Sequence, residues 1–249
     1  MELDFTFFAV AIPAVLYAGI DKAGFGSSAS VAAAAILALI LEPAQAVAIM
    51  LPLLIVMDFV ALKPNWNRWD PEPTRVLVLG TSAGVAVGAA LIFVISDDVF
   101  RLLIGLIALA FVAFQACRRA GWIKPLQPFS NVAGFFFGVG AGVTSFIAHS
   151  GGPVATIYLL SRNLSKSQYQ ATTIIVLWIN NLMKLVVYLM LGILTLQTSV
   201  AALYLVPFAV LGTLLGVHLN RIVPEKAYFA FIYVFLTFAG TKLLYDALS

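Results

Sequence analysis

Charge is what this sequence has least of. Only 10% of its 249 residues are charged, against roughly a quarter in a soluble globular protein, while 62% are hydrophobic and mean hydropathy is +1.04. That balance excludes a soluble domain. Cysteine is nearly absent: Cys117 stands alone, which excludes an internal disulfide. No Cys/His spacing suits zinc, so neither a metal nor a cofactor is expected. The glycine-rich phosphate loop of ATPases is also missing, so the chain does not hydrolyse ATP itself. Glu2 and Asp4 precede the first apolar run without any basic residue, which does not fit a signal peptide.

Apolar runs are present from end to end, near the ~20 residues that cross a ~30 Å hydrocarbon core. They fall at about 5–20, 29–41, 44–62, 75–95, 100–117, 130–148, 153–161, 168–191, 199–219 and 226–246. The strands of a membrane barrel would alternate apolar and polar residues instead. The expected fold is all-α: a polytopic membrane protein of about 8–10 helical segments in the lipid bilayer. The runs 29–41 and 153–161 are too short to span, and each either re-enters or completes a broken span.

Basic residues concentrate on one side when loops are assigned alternately. Lys63, Arg68, Arg75, Arg118, Arg119, Lys124, Arg162, Lys166, Arg221 and Lys226 are ten of the fourteen. The other side receives Arg101 and Lys242 with Glu2, Asp4, Glu42, Asp97 and Asp98. The first side is therefore expected in the cytoplasm, with both termini outside. This loop asymmetry accounts for the net charge of +3 without a nucleic-acid partner.

Two polar breaks stand at matching places: Asp21-Lys22-Ala23-Gly24-Phe25-Gly26-Ser27-Ser28 and Ala148-His149-Ser150-Gly151-Gly152-Pro153, 125 positions apart by Gly26 and Gly151. Ala23 and Ala148, and the dipeptides Gln45-Ala46 and Gln170-Ala171, keep that offset. Gly80-Thr81-x-x-Gly84 echoes Gly212-Thr213-x-x-Gly216. These matches predict two repeats, 1–117 and 131–249, joined by a cytoplasmic linker at 118–130. Five segments per repeat, an odd number, make them inverted in the membrane. The glycine ridges are read as helix-packing surfaces, which could also seat a second copy of the chain in a homodimer. Gly80-Thr81-Ser82-Ala83-Gly84 fits a hydrolase pattern but lies inside an apolar helix, and no catalytic constellation accompanies it.

A helix start binds anions through unpaired N–H groups and the positive end of its dipole. Gly26, Ser27 and Ser28 in one break, and Gly151, Gly152 and Pro153 in the other, are candidates to clamp one small anion. Lys22 and Lys184 are charges inside the membrane, where a purpose or a partner is the rule. Asp21 or Asp58 could pair with Lys22. Asn180 lies one turn before Lys184 on the same face, beside Asn181. His149 could bind the anion or carry a coupling proton, and Asp21 is the other candidate to carry that proton. Gln45 and Gln170 form a symmetric polar pair, Asp58 could instead pair with Lys63, and His218 is placed at the interface.

The first break, the turn Ser150-Gly151-Gly152-Pro153, and the run Ala171-Thr172-Thr173 leading to Asn180-Asn181-x-x-Lys184 resemble the TauE/SafE sulfite-exporter family. The likeness extends over most of the chain through its segment pattern and twofold repeat. It implies a transporter rather than an enzyme, moving small sulfur-containing anions such as sulfite or the organosulfonate sulfoacetate outward across the bacterial inner membrane. Other readings of the same breaks are a small-anion channel and a membrane subunit of a larger complex.

Overall fold

The structure is a computed structural model that describes residues 3–24, 30–92, 94–122, 128–219 and 225–248. Among them are ten α-helices and no strand: α1 (Phe5–Gly24), α2 (Ser30–Leu37), α3 (Pro43–Leu62), α4 (Pro71–Ile92), α5 (Asp97–Arg119), α6 (Asn131–Ala148), α7 (Gly151–Leu160), α8 (Lys166–Met190), α9 (Leu196–Leu219) and α10 (Glu225–Leu248). A 3-10 turn over Lys63–Asn65 follows α3. Six helices, α1, α3, α4, α6, α8 and α9, are long and apolar enough to cross a membrane. Helix is the form such segments must take, because lipid offers no partner to backbone N–H and C=O groups. Pro13, Pro52 and Pro207 are accommodated inside α1, α3 and α9. The two short helices have 8 and 10 residues, about 12 and 15 Å at ~1.5 Å per residue.

Local chemistry sets several ends. Ser165 opens α8 with a reciprocal capping box to Gln168, and the Ser130 hydroxyl accepts the Ala133 N–H to open α6. His149 closes α6 in the left-handed region (φ 52°), with its own N–H bonded to the Ser145 carbonyl and the Ser150 N–H to that of Thr144. Glycine usually occupies that position. One boundary departs from expectation. Asp21 and Lys22 do not begin the first break but lie in the last turn of α1, which continues to Gly24. Neither residue interrupts a helical backbone, and Lys22 finds a partner inside the bundle.

Helix α3 is the central element: 67% of its span is buried, against 33–44% for the other five long apolar helices. Around it, the most extensive contacts are α4 with α6, α1 with α9, and α5 with α10. Glycines permit the first two. A methyl group added to Gly80 or Gly84 of α4 would collide with the carbonyls of Phe135 or Val139 on α6. One added to Gly212 or Gly216 of α9 would collide with the carbonyls of Leu16 or Ile20 on α1. Such close approach is the usual basis of helix association in membranes, where lipid competes for every apolar contact. The order of these contacts makes each pair locally parallel. Ser82, the middle of the apparent hydrolase motif, donates to the Val78 carbonyl one turn back at 2.6 Å, as a helical serine with no nucleophile's role does.

Candidate functional site

Lys184 of α8 is completely buried and does not reach toward an interface. Its Nζ lies 3.0 Å from the Ser145 carbonyl, 2.9 Å from Ser145 Oγ and 2.8 Å from His149 Nδ1. Three acceptors match the three protons of an ammonium. The other ring nitrogen of His149, Nε2, donates to the Val47 carbonyl of α3 at 2.9 Å, and with the Lys184 ammonium donating to Nδ1 the ring is the neutral tautomer. Both nitrogens are thus occupied, and a second proton on the ring would face the Lys184 ammonium. Asn180 joins the group, its Nδ2 donating to Ser145 Oγ at 2.7 Å. The fully buried Asn180 Oδ1 has no hydrogen-bond partner among the described residues.

A second cluster adjoins the first through the next residue of α8. Asn181 Nδ2 donates to Asp58 Oδ2 at 2.7 Å, and Lys22 Nζ of α1 lies 2.6 Å from Asp58 Oδ1. Asp58 is completely enclosed, whereas the Lys22 side chain keeps 11% of its exposure. The aspartate therefore pairs with Lys22 rather than with the exposed Lys63 of the turn after α3. Asp21 beside it is also buried.

The structure thus brings Lys22, Asn180, Asn181, Lys184 and His149 into one buried region. Gly26, Ser27 and Ser28 lie outside the described residues. Gly151, Gly152 and Pro153 form the first turn of α7, whose cap, Ser150, makes no side-chain bond to it. Gly151 is pressed against α6, where a methyl group would meet the Ala141 carbonyl and the Ser145 side chain; this glycine serves packing. Gln45 and Gln170 are half-buried and His218 is exposed. Gln170 borders a cavity of about 730 Å³ with Lys63, Asn65 and Trp66, next to the α3 end that carries Asp58.

Sequence reading missed Ser145 and the Val47 carbonyl, and left Asp58 between two partners. Ser145 sits beside Thr144 among the glycines of α6, and a backbone carbonyl leaves no trace in a sequence. A further polar group ties α4, α6 and α7 at the end of the bundle where α4 and α6 begin. Arg162 pairs with Glu72 at 2.9 Å, Asn131 Nδ2 donates to Glu72 at 2.9 Å, and the Tyr158 hydroxyl donates to Asn131 Oδ1 at 3.1 Å. Among the described residues no cluster of His, Cys, Asp and Glu could hold a metal ion.

Residues 11–243 match the family described as sulfite exporter TauE/SafE, and the chain belongs to that family. No curated protein and no solved structure matches it significantly.

Proposed function

From membership of a transporter family, we propose that this protein is a secondary transporter that exports small sulfur-containing anions such as sulfite or sulfoacetate by alternating access. The observation that carries the reading is the state of Lys22. Lys184 has an acceptor for each of its protons inside the protein, whereas Lys22 has only the Asp58 carboxylate among the described residues and keeps part of its surface open. It lies in the last turn of α1, two residues before that helix ends. A sulfonate or sulfite group offers three oxygens, which Lys22 and the N–H groups at the start of α2, with Gly26, Ser27 and Ser28, would share. The start of α7, with Gly151, Gly152 and Pro153, would face the anion from the other half, and the Lys184–His149–Asn180 cluster would support it. The inverted relation of residues 1–117 to 131–249 is part of this proposal, supported by the exchange of partners between α1–α9 and α4–α6.

The test is the thermal stability of purified protein across sulfite, sulfoacetate, other sulfonates, sulfate, carboxylates and chloride. A ligand of the folded state raises the midpoint by mass action. A selective shift with sulfite or a sulfonate, lost in Lys22→Gln, supports the proposal. Absence of any shift from folded protein overturns it and favours a subunit role, and currents that rise linearly without saturation favour a channel.

A further inference from the structure

We propose that Asp58 is a tethered counter-anion, which occupies Lys22 in the empty transporter, is displaced from it by the transported anion, and takes up a proton when displaced. This rests on the transport reading above and adds to it a coupling ion and the residue that carries it.

The argument starts from what surrounds the carboxylate. Asp58 is completely buried, with Lys22 on Oδ1 and Asn181 on Oδ2. Lys184 faces it from α8 at longer range, committed to Ser145 and His149. Helix α2 contributes no ionisable residue, α9 only the exposed Tyr204 and His218, and α5 those at its two ends, Arg101 included. Asp21 and Tyr17 on α1, Tyr169 and Tyr188 on α8, His149, and Lys63 in the turn after α3 are the other titratable groups. An anion that draws Lys22 away therefore leaves a buried carboxylate with a single amide donor and no adjacent cation. Burial without a counter-charge favours the neutral form of an acid. One proton from water, added to the freed Oδ1, restores neutrality. His149 is less suited to this exchange, because both ring nitrogens already have partners.

The charges balance. Before binding, Lys22 and Asp58 sum to zero; afterwards Lys22 offsets one charge of the anion and protonated Asp58 adds nothing, so a monovalent anion leaves the site neutral and dianionic sulfoacetate leaves the single negative charge of its second acid group. The transported unit is then one anion with one proton, set in motion by the anion's own gradient and the pH difference.

The deciding experiment titrates detergent-purified protein with sulfoacetate between pH 6 and 8, where both of its acid groups are ionised because carboxyls titrate near ~4. Wild type is expected to bind more weakly by up to about tenfold per pH unit, the slope of a one-proton linkage. In weakly buffered solution it should take up close to one proton per anion bound. Asp58→Asn should bind at least as tightly as wild type, with affinity independent of pH and no proton uptake. Should Asp58→Asn fail to fold, proton uptake by wild type decides. Binding without uptake, or an Asp58→Asn protein as pH-dependent as wild type, overturns the assignment while leaving transport intact. Failure of folded wild type to bind either sulfoacetate or sulfite overturns this inference and the transport reading together.

Discussion

Asn180 and Asn181, neighbours on α8, turn their amides to opposite halves of the chain. Asn180 Nδ2 donates to Ser145 Oγ and Asn181 Nδ2 to Asp58 Oδ2, each at 2.7 Å. Successive helical residues point about 100° apart, so an Asn-Asn pair reaches two different helices where a single amide reaches one. This makes α8 the strut between the Lys184 cluster on α6 and the Lys22–Asp58 pair on α1 and α3, and the following predictions take the two lysines apart.

Lys184→Met should act on stability before it acts on binding. The substitution removes the ammonium from His149 Nδ1, from Ser145 Oγ, which keeps Asn180, and from the Ser145 carbonyl, which keeps the His149 N–H, and a hydrogen bond to a charged group contributes about 1.5–3 kcal/mol. The expected result is a thermal midpoint lowered by many degrees or little folded protein in detergent. A Lys184→Met protein as heat-resistant as wild type would contradict the assignment of Lys184 to the scaffold.

For Lys22 the prediction is a rescue. Lys22→Gln leaves Asp58 buried without its cation, a loss of about 3–5 kcal/mol for broken buried pairs. Adding Asp58→Asn should recover most of that stability without restoring anion binding. A double-mutant cycle on thermal midpoints at neutral pH measures the coupling, and additive effects would show that the 2.6 Å contact contributes nothing.

Gly84→Ala and Gly216→Ala should each reduce the yield of folded, monodisperse protein sharply, since the new methyl meets backbone that cannot swing aside. Gly140→Ala is the control on the same bundle: its methyl would find only Val154 Cγ1, at 3.3 Å. Size-exclusion profiles of the three variants separate packing from mere glycine loss, and equal profiles would remove the close-approach argument.

Glu72→Gln, by contrast, should change stability by less than about 1 kcal/mol. Glu72 is 57% exposed and Arg162 20%, and surface ion pairs of this kind contribute about 0.2–1 kcal/mol. A fall in the thermal midpoint like that of Lys184→Met would show the Glu72–Arg162–Asn131–Tyr158 group to be a principal tie of the bundle.

The sidedness expected from the loops is open to labelling. In a Cys117→Ser background, cysteines placed at Arg68 and Asn163 should react with an impermeant thiol reagent from the same side, and one at Asp98 from the opposite side. Reaction of all three in intact cells would break the alternation on which the cytoplasmic assignment depends.

Much of the fold was legible because hydrophobic length is a direct physical signal. The runs 29–41 and 153–161 were too short to span, and they became α2 and α7. The start of the first break was not legible: Asp21 and Lys22 are polar, but polarity ends a helix only when its side chains lack partners, and Lys22 had one on α3. Asn180 and Lys184 were placed on one face by spacing alone, and both reach Ser145. Choosing Lys22 over Lys63 as the partner of Asp58 required the relative placement of α1 and α3, which no spacing within either segment encodes. Ser145 was invisible for a related reason, since its role comes from two side chains of α8, Asn180 and Lys184.

The glycine contacts carry one more consequence. Gly80 and Gly84 bind α4 to α6, and Gly212 and Gly216 bind α9 to α1, backbone against backbone. Each seam joins a helix from before the linker to one from after it. The two stretches of sequence are therefore interlaced, like the fingers of two clasped hands, and a rocking motion that swung one stretch bodily past the other would have to tear both seams. Any moving parts would have to be cut across the sequence, with α1 kept beside α9 and α4 beside α6.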